Sequence, residues 1–263
     1  MDYKIVKSND GAIRINFLEG YSSVIIPTKE GKNTVCVSCQ IGCPVKCKFC
    51  YSGKAKFKRN LTKEEIIKQV EIAQEIIGKK SQAIVFMGMG EPLLNIKNVL
   101  EAAEEIHNKF AISYNRITIS TSGLKNIDKL LKIKFNVAVS LHSPFDKKRK
   151  ELIPPGISVR KIVNFAKKYC EVHHKKNYVM IEYALIKGVN DSEKYLEKIL
   201  ELKWPKRTLF NLIEFNDIKS FKKSEDKIYD KFKLEIIKKG FKCFIRKSRG
   251  RDIGASCGML NNN

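Results

Sequence analysis

Runs of apolar, β-branched residues alternate along this chain with stretches whose apolar residues recur at helical spacing, and that alternation constrains the fold more than any other feature. Strands are predicted over 83–89, 116–121, 136–142, 178–186, 208–215 and 243–247. Helices are predicted over 62–78, 96–110, 158–173, 191–203 and 229–239. The first helix has the clearest start: Thr62 can cap its first turn and Glu65 can close a capping box. Gly240 stops the last. Repeated strand–helix–strand units lead to a parallel sheet covered on both faces, which is why the strand runs are almost continuously apolar. Such a set fits an α/β, TIM-like partial (β/α)6 barrel better than a small doubly wound sheet. In such barrels ligands gather at the C-terminal ends of the strands. That rule selects Gly88-Met89-Gly90-Glu91, Ser120-Thr121-Ser122-Gly123 and Ser140-Leu141-His142. Ahead of the barrel, runs at 12–18 and 23–27 can pair as a β-hairpin. The predicted organisation is therefore a β extension (1–35), the barrel (36–240) and a C-terminal strand and tail (241–263).

The chain has 263 residues, 43% of them hydrophobic, enough for a sizeable core. This excludes a collagen, a disordered tail and a small disulfide-stapled scaffold. No run reaches the roughly 20 apolar residues needed to span a bilayer. The first ten residues carry Asp2 and Asp10 and no apolar signal core, so the reading is a soluble, cytoplasmic protein with no membrane partner. Lys and Arg number 51 against 28 Asp and Glu, a formal charge of +23. A field of that sign attracts polyanions. The basic residues cluster at Lys147-Lys148-Arg149-Lys150, His173-His174-Lys175-Lys176, Lys222-Lys223 and Arg246-Lys247-Ser248-Arg249. Each cluster alone reads as a solvated face, and a lysine-rich host would explain much of the excess. Their sum argues for RNA or DNA.

Eight cysteines without a signal sequence read as reduced thiols, available for metal binding or catalysis. Five of them, Cys36, Cys39, Cys43, Cys47 and Cys50, fall within fifteen residues, while Cys170, Cys243 and Cys257 are scattered. Cys43, Cys47 and Cys50 form a C-x3-C-x2-C run. Zinc sites favour C-x2-C pairs and four protein ligands, so a zinc knuckle would need Cys36 or Cys39 as well. Three closely spaced thiolates suit a 4Fe–4S cluster with one iron left free of protein. Such an iron can hold the amino and carboxylate groups of S-adenosylmethionine, whose reductive cleavage gives a 5′-deoxyadenosyl radical. Phe49 before the last cysteine, and the strand–helix repeats that follow, favour the cluster over zinc.

At these residues the chain resembles the radical S-adenosylmethionine superfamily, and within it the RlmN/Cfr family of adenosine methyltransferases. Seven segments carry the resemblance in order: CVSCQIGCPVKCKFCYSG (36–53), FKRNLT (57–62), FMGMGEPLLN (86–95), RITISTSG (116–123), VSLHSP (139–144), IEYALIKGVND (181–191) and RGRDIGASCGML (249–260). The resemblance implies that Cys43, Cys47 and Cys50 ligate the cluster. It implies that Gly90 and Glu91 meet the amino group of S-adenosylmethionine, and that Ser120, Ser140, Leu141, His142 and Asn216 contact the rest of it. Cys257 matches the cysteine that carries the methyl group, and Cys36 matches the second catalytic cysteine. The implied reaction methylates carbon 2, or less readily carbon 8, of adenosine in rRNA or tRNA, using two S-adenosylmethionine molecules per turnover. The methyl is first placed on Cys257, a radical then forms on it and joins the base. Cys36 resolves the adduct, leaving a Cys36–Cys257 disulfide. The tail would fold back over the barrel mouth, and a flavodoxin or ferredoxin would supply electrons.

Two departures from the family's pattern stand out. Larger members carry an N-terminal helical domain that helps bind RNA, whereas 35 residues precede Cys36 here. RNA recognition would then fall to the basic rim, the lead-in or a partner. The family also has a Glu as proton acceptor in the strand ending Ile-Pro. Counting back from Ile26-Pro27, this chain offers Ser22 and Ser23, with Glu19 and Glu30 the nearest carboxylates. The competing functions are the same methyl-cysteine chemistry on a small molecule, nucleotide or protein, and a non-catalytic RNA-binding relative. Cys39, Cys170 and Cys243 read as small buried thiols, His107, His173 and His174 as helix-surface residues, and Trp204 as a packing anchor.

Overall fold

Local signals start the elements where the sequence places them. Thr62 accepts from the Glu65 backbone N–H while the Glu65 carboxylate accepts from the Thr62 N–H, closing the capping box that opens the helix Lys63–Ile77. Ser158 caps the helix Val159–Val172 in the same way with one bond. The computed structural model describes residues 1–28, 31–78, 81–173 and 178–260. Glu30, His174, Lys175 and Lys176 lie outside the described residues.

The chain divides into two compact units. The first holds residues 1–46, 50–120 and 249–263. Its strands are β1 (Tyr3–Lys7), β2 (Ile13–Phe17), β3 (Tyr21–Pro27), β4 (Asn33–Cys36), β5 (Gln40–Ile41), β6 (Arg59–Asn60), β7 (Ala83–Phe86) and β8 (Ile117–Thr121). Its helices are α1 (Tyr51–Lys54), α2 (Lys63–Ile77) and α3 (Ile96–Phe110). Strands β1 to β4 form an antiparallel meander, and β4, β7 and β8 continue it in parallel. Strands β5 and β6 pair apart from it. The lead-in is therefore longer than the hairpin signalled by 12–18 and 23–27, because β1 adds a further strand. All five β1 residues are exposed, so β1 lacks the alternation that marks a half-buried strand.

The second unit holds residues 47–49 and 121–248. Strands β9 (Asn136–Ser140), β10 (Val179–Leu185), β11 (Thr208–Glu214) and β12 (Lys242–Arg246) run parallel in chain order. Helices α4 (Asp146–Leu152) and α5 (Val159–Val172) lie between the first pair, α6 (Glu193–Glu201) between the next and α7 (Asp226–Lys238) between the last. This is the α/β class with mostly parallel strands expected from the sequence. The inward faces of the longer helices are mainly apolar: Ile66, Val70 and Ala73 on α2, Ala102 and Ile106 on α3, Ile162, Phe165 and Ala166 on α5 are all buried, and α2 also buries Gln69, which bonds the Ser38 backbone. Cys170, Cys243 and Trp204 are buried in the second unit, and the Trp204 indole donates to the Ile199 carbonyl.

Candidate active site

In the first unit, β4 ends at Cys36, which is buried and pairs in register with Val24 of β3 and Val85 of β7. Beyond it, residues 37–40 run alongside 87–91. The N–H groups of Cys39 and Gln40 both donate to the Met89 carbonyl, Gly88 donates to Val37, and the Ser38 hydroxyl accepts from Met89. Two glycines make so close an approach possible. A Cβ on Gly88 would stand 2.6 Å from the Ser38 Oγ, and one on Gly90 would stand 2.7 Å from the Gln40 Cβ. Gly90 also has φ +107°, which residues with a Cβ rarely adopt. Glu91 is buried. Its N–H donates to Gln40 Oε1, and its carboxylate accepts from Leu93 at the start of a short 3-10 turn, Pro92–Leu94. Ser120, half-buried, is the last residue but one of β8.

The cysteine loop follows directly. Cys39 is buried, and burial, with the Glu91 carboxylate and Cys43 nearby, drives its thiol well above the ordinary range. It stays protonated as a packing residue. Cys43, Cys47 and Cys50 are half-buried on a short irregular loop, with Cys50 at the N-cap position of α1. Burial pushes the Cys43 thiol up to about 12, with the Val45 N–H working against the rise. Cys50 is close enough to add to the rise. Among the described residues no group of three or more His, Cys, Asp or Glu side chains converges as a metal site would. The donor set nevertheless fits an iron–sulfur cluster: three accessible thiols on one loop, where the other buried thiols are locked in the core. A positively charged iron centre is what such thiols need to ionise.

In the second unit the end of β9 is tightly built. Leu141 is buried and donates from its N–H to the Glu182 carbonyl. His142 is 4% exposed and has φ +52°. Its Nδ1 accepts from the Ala184 N–H at 3.0 Å, which leaves the proton on Nε2. The Asn190 amide donates to the His142 and Ala184 carbonyls and accepts from the Ile186 N–H. The edge of Phe49 meets the imidazole at 4.8 Å. Burial, and then the nearby Arg149 charge, lower His142 to about 3, so it is neutral at physiological pH. Half-buried Ser140 and buried Leu141 are held by Arg149, whose guanidinium donates to the carbonyls of Ser122, Ser140, Leu141 and Ile157. Asn216, buried just past β11, accepts from the Ser248 hydroxyl, while Glu214 accepts from the Ser248 N–H and from Lys223.

Arg149, Glu182, Asn190 and Glu214 were not singled out by sequence reasoning. Arg149 corrects one expectation: it is 1% exposed, so the Lys147–Lys150 cluster is not a wholly solvated face. The signal was present, since Arg149 and Leu152 stand three apart on α4 and both turn inward. In the lead-in, the Ser22 hydroxyl donates to Asn16 Oδ1 and accepts from Arg14, Ser23 is buried, and Glu19 is exposed.

Cys257 is exposed on a tail that belongs to the first unit, as does Cys36. The Arg14 guanidinium donates to the Ile253 and Gly254 carbonyls, and the Tyr51 N–H of α1 donates to the Gly258 carbonyl at 2.8 Å.

The sequence profile of the Radical SAM superfamily matches residues 37–202. A dual-specificity RNA methyltransferase RlmN from Buchnera aphidicola is 40% identical over 252 residues, covering 90% of this chain and 69% of that protein. One from Ruthia magnifica is 35% identical over 277 residues, covering 98% of this chain and 77% of that protein. A crystal structure of a radical SAM methyltransferase from Sphaerobacter thermophilus superposes with a TM-score of 0.88 at 32% identity, covering 99% of this chain and 80% of that one. Spore photoproduct lyase, at 11% identity and a TM-score of 0.58, shares the fold alone. By these likenesses the chain is a radical S-adenosylmethionine methyltransferase, and it belongs to the RlmN family.

Proposed function

We propose that this enzyme methylates an aromatic carbon of adenosine, carbon 2 rather than carbon 8, in ribosomal or transfer RNA, with Cys257 as the methyl carrier. The observation that carries the reading is an exposed Cys257 on an anchored tail in the same unit as the buried Cys36. The RNA methyltransferase names of its relatives and the charge of +23 support an RNA substrate.

Carbon 2 of adenine is electron-poor and cannot attack a sulfonium methyl directly, so a carrier sulfur is required. When bound on Cys43, Cys47 and Cys50, a 4Fe–4S cluster with S-adenosylmethionine, two molecules per turnover, supplies an electrophilic methyl group and a hydrogen-abstracting radical. The thiolate of Cys257 is the nucleophile that takes the methyl group and becomes a thioether. The carrier carbon then gives up a hydrogen atom and bonds to carbon 2, and the adduct returns one electron to the electron donor. Cys36 attacks the Cys257 sulfur; the sulfur–carbon bond breaks, and its electron pair and a proton complete the methyl group. An external dithiol reduces the resulting disulfide. Gly90 and Glu91 meet the amino group of the cofactor, and Ser120, Ser140, Leu141, His142 and Asn216 hold the rest of it. His142 does so as an uncharged donor through Nε2, since Nδ1 is already engaged. A flavodoxin- or ferredoxin-type donor supplies the electron. Ser22 and Ser23 cannot serve as a base at neutral pH, so the last proton leaves to water or to a group outside the lead-in strand.

Mass analysis of the tail peptide tests the reading. Protein made with its cluster and given S-adenosylmethionine should carry one added methylene unit on Cys257. An unmodified Cys257 in cluster-replete protein would overturn the carrier role.

A further inference from the structure

The lead-in turn and the tail are joined by a polar clasp across some 240 positions of sequence. The Asp252 carboxylate accepts from the Ser8 hydroxyl and, at 3.0 Å, from the Asn9 N–H. Asp10 accepts from the Gly250 N–H at 2.9 Å and from the Ala12 N–H at 3.1 Å. Arg14, 5% exposed, reaches the Ile253 and Gly254 carbonyls at 3.3 and 3.4 Å. The two turns nest so closely that a Cβ on Gly250 would stand 3.2 Å from the Ala12 Cβ and 2.8 Å from the Ala255 Cβ.

A second attachment lies on the other side of Cys257. The Tyr51 N–H holds the Gly258 carbonyl, and the Ser52 hydroxyl holds the Leu260 carbonyl at 3.0 Å. Both donors belong to the first turn of α1, directly after Cys50. Only Ala255, Ser256 and Cys257 lie between the two attachments, and the Ser256 hydroxyl is itself bonded to the Arg249 carbonyl. A tail held simply for stability needs apolar burial, which fixes no register. Directional hydrogen bonds on both flanks, to charged side chains on the first and between neutral groups on the second, fix where one residue stands.

We propose that Ser8, Asp10, Arg14 and Asp252 are positioning residues that act through Cys257, setting the methyl-carrying sulfur in register with the loop that bears Cys50. This rests on the reading of Cys257 as methyl carrier. The clasp determines how often a radical, once formed, finds the carrier methyl rather than being quenched. Loosening it should uncouple cofactor cleavage from methyl transfer while leaving the rest of the protein intact.

The test uses the full chain with its cluster. Asp252→Ala lies on an exposed turn and leaves the core untouched; Ser8→Ala removes the same contact from the other side. For each variant, iron content and melting temperature should match the unsubstituted protein, while amides of residues 249–260 exchange with deuterium at least about tenfold faster. The ratio of 5′-deoxyadenosine formed to methyl transferred should rise several-fold, and Asp252→Asn, which keeps an acceptor for Ser8, should fall between. Faster exchange with an unchanged ratio would reduce the clasp to a structural tie, and unchanged exchange would remove it altogether. If Cys257 of the unsubstituted protein never carries a methyl group, the carrier reading fails and this proposal with it, whatever the exchange rates show.

Discussion

At the scale of the residue, His142 concentrates the most constraint in the fewest atoms. A side chain with a Cβ in the left-handed region costs of order 1 kcal/mol, and here three contacts hold it there: the Ala184 N–H on Nδ1, the Asn190 amide on its carbonyl and the Phe49 ring, while the Arg149 charge disfavours its protonation. Its pKa of about 3 against 6.5 fixes the sign of a pH effect. Between those values the unfolded chain binds a proton that the folded one refuses, so stability falls as pH drops from 6.5 towards 3. The slope from this residue alone approaches about 1.4 kcal/mol per pH unit. His142→Asn, whose Oδ1 can still accept from Ala184, should flatten the dependence of the urea midpoint on pH between about 4.5 and 6.5. An unchanged dependence would mean that His142 takes up its proton in the folded protein as readily as in the unfolded chain.

At the scale of the element, the strand and helix pattern was largely legible and the short pieces were not. The helix predicted over 96–110 is α3 as it stands, and the strands shifted by only one to three residues. The pattern failed for α1, four residues long, and for α4, whose seven residues include Asp146, Lys147, Lys148, Arg149, Lys150 and Glu151. A short helix makes too few turns to show a periodicity, and α4 hides its inward face behind a charge. That charge is what braces the ends of neighbouring chain segments: Arg149 gives four carbonyls a charged donor, and the Leu141 carbonyl takes a backbone N–H as well, from Ser143. Arg149→Met should destabilise the protein by about 3 kcal/mol or more, because buried acceptors are left without that donor. Arg149→Lys should recover little, since one ammonium cannot span a fork of carbonyls. Chemical denaturation midpoints measure both, and a loss below about 1 kcal/mol for the Met variant would show that water replaces the clamp.

At the scale of the whole molecule, the charge of +23 should govern RNA binding. If six to ten phosphates are contacted, affinity falls about a thousandfold or more between 50 and 200 mM salt. A dependence of less than tenfold, measured by titration with a labelled stem-loop, would point instead to a small acceptor. No helix among the described residues is long and apolar enough to cross a membrane. The amino-acid sequence by itself determined the α/β class with parallel strands, the C-x3-C-x2-C spacing and the glycines of MGMGE, because each depends on residues near one another in the chain. The two nested turns at 8–14 and 250–254, the burial of Arg149 and the neutrality of His142 were decided only by the tertiary structure. Each of these requires partners far along the chain and exclusion of water, and neither distance in space nor dielectric is written in a local pattern.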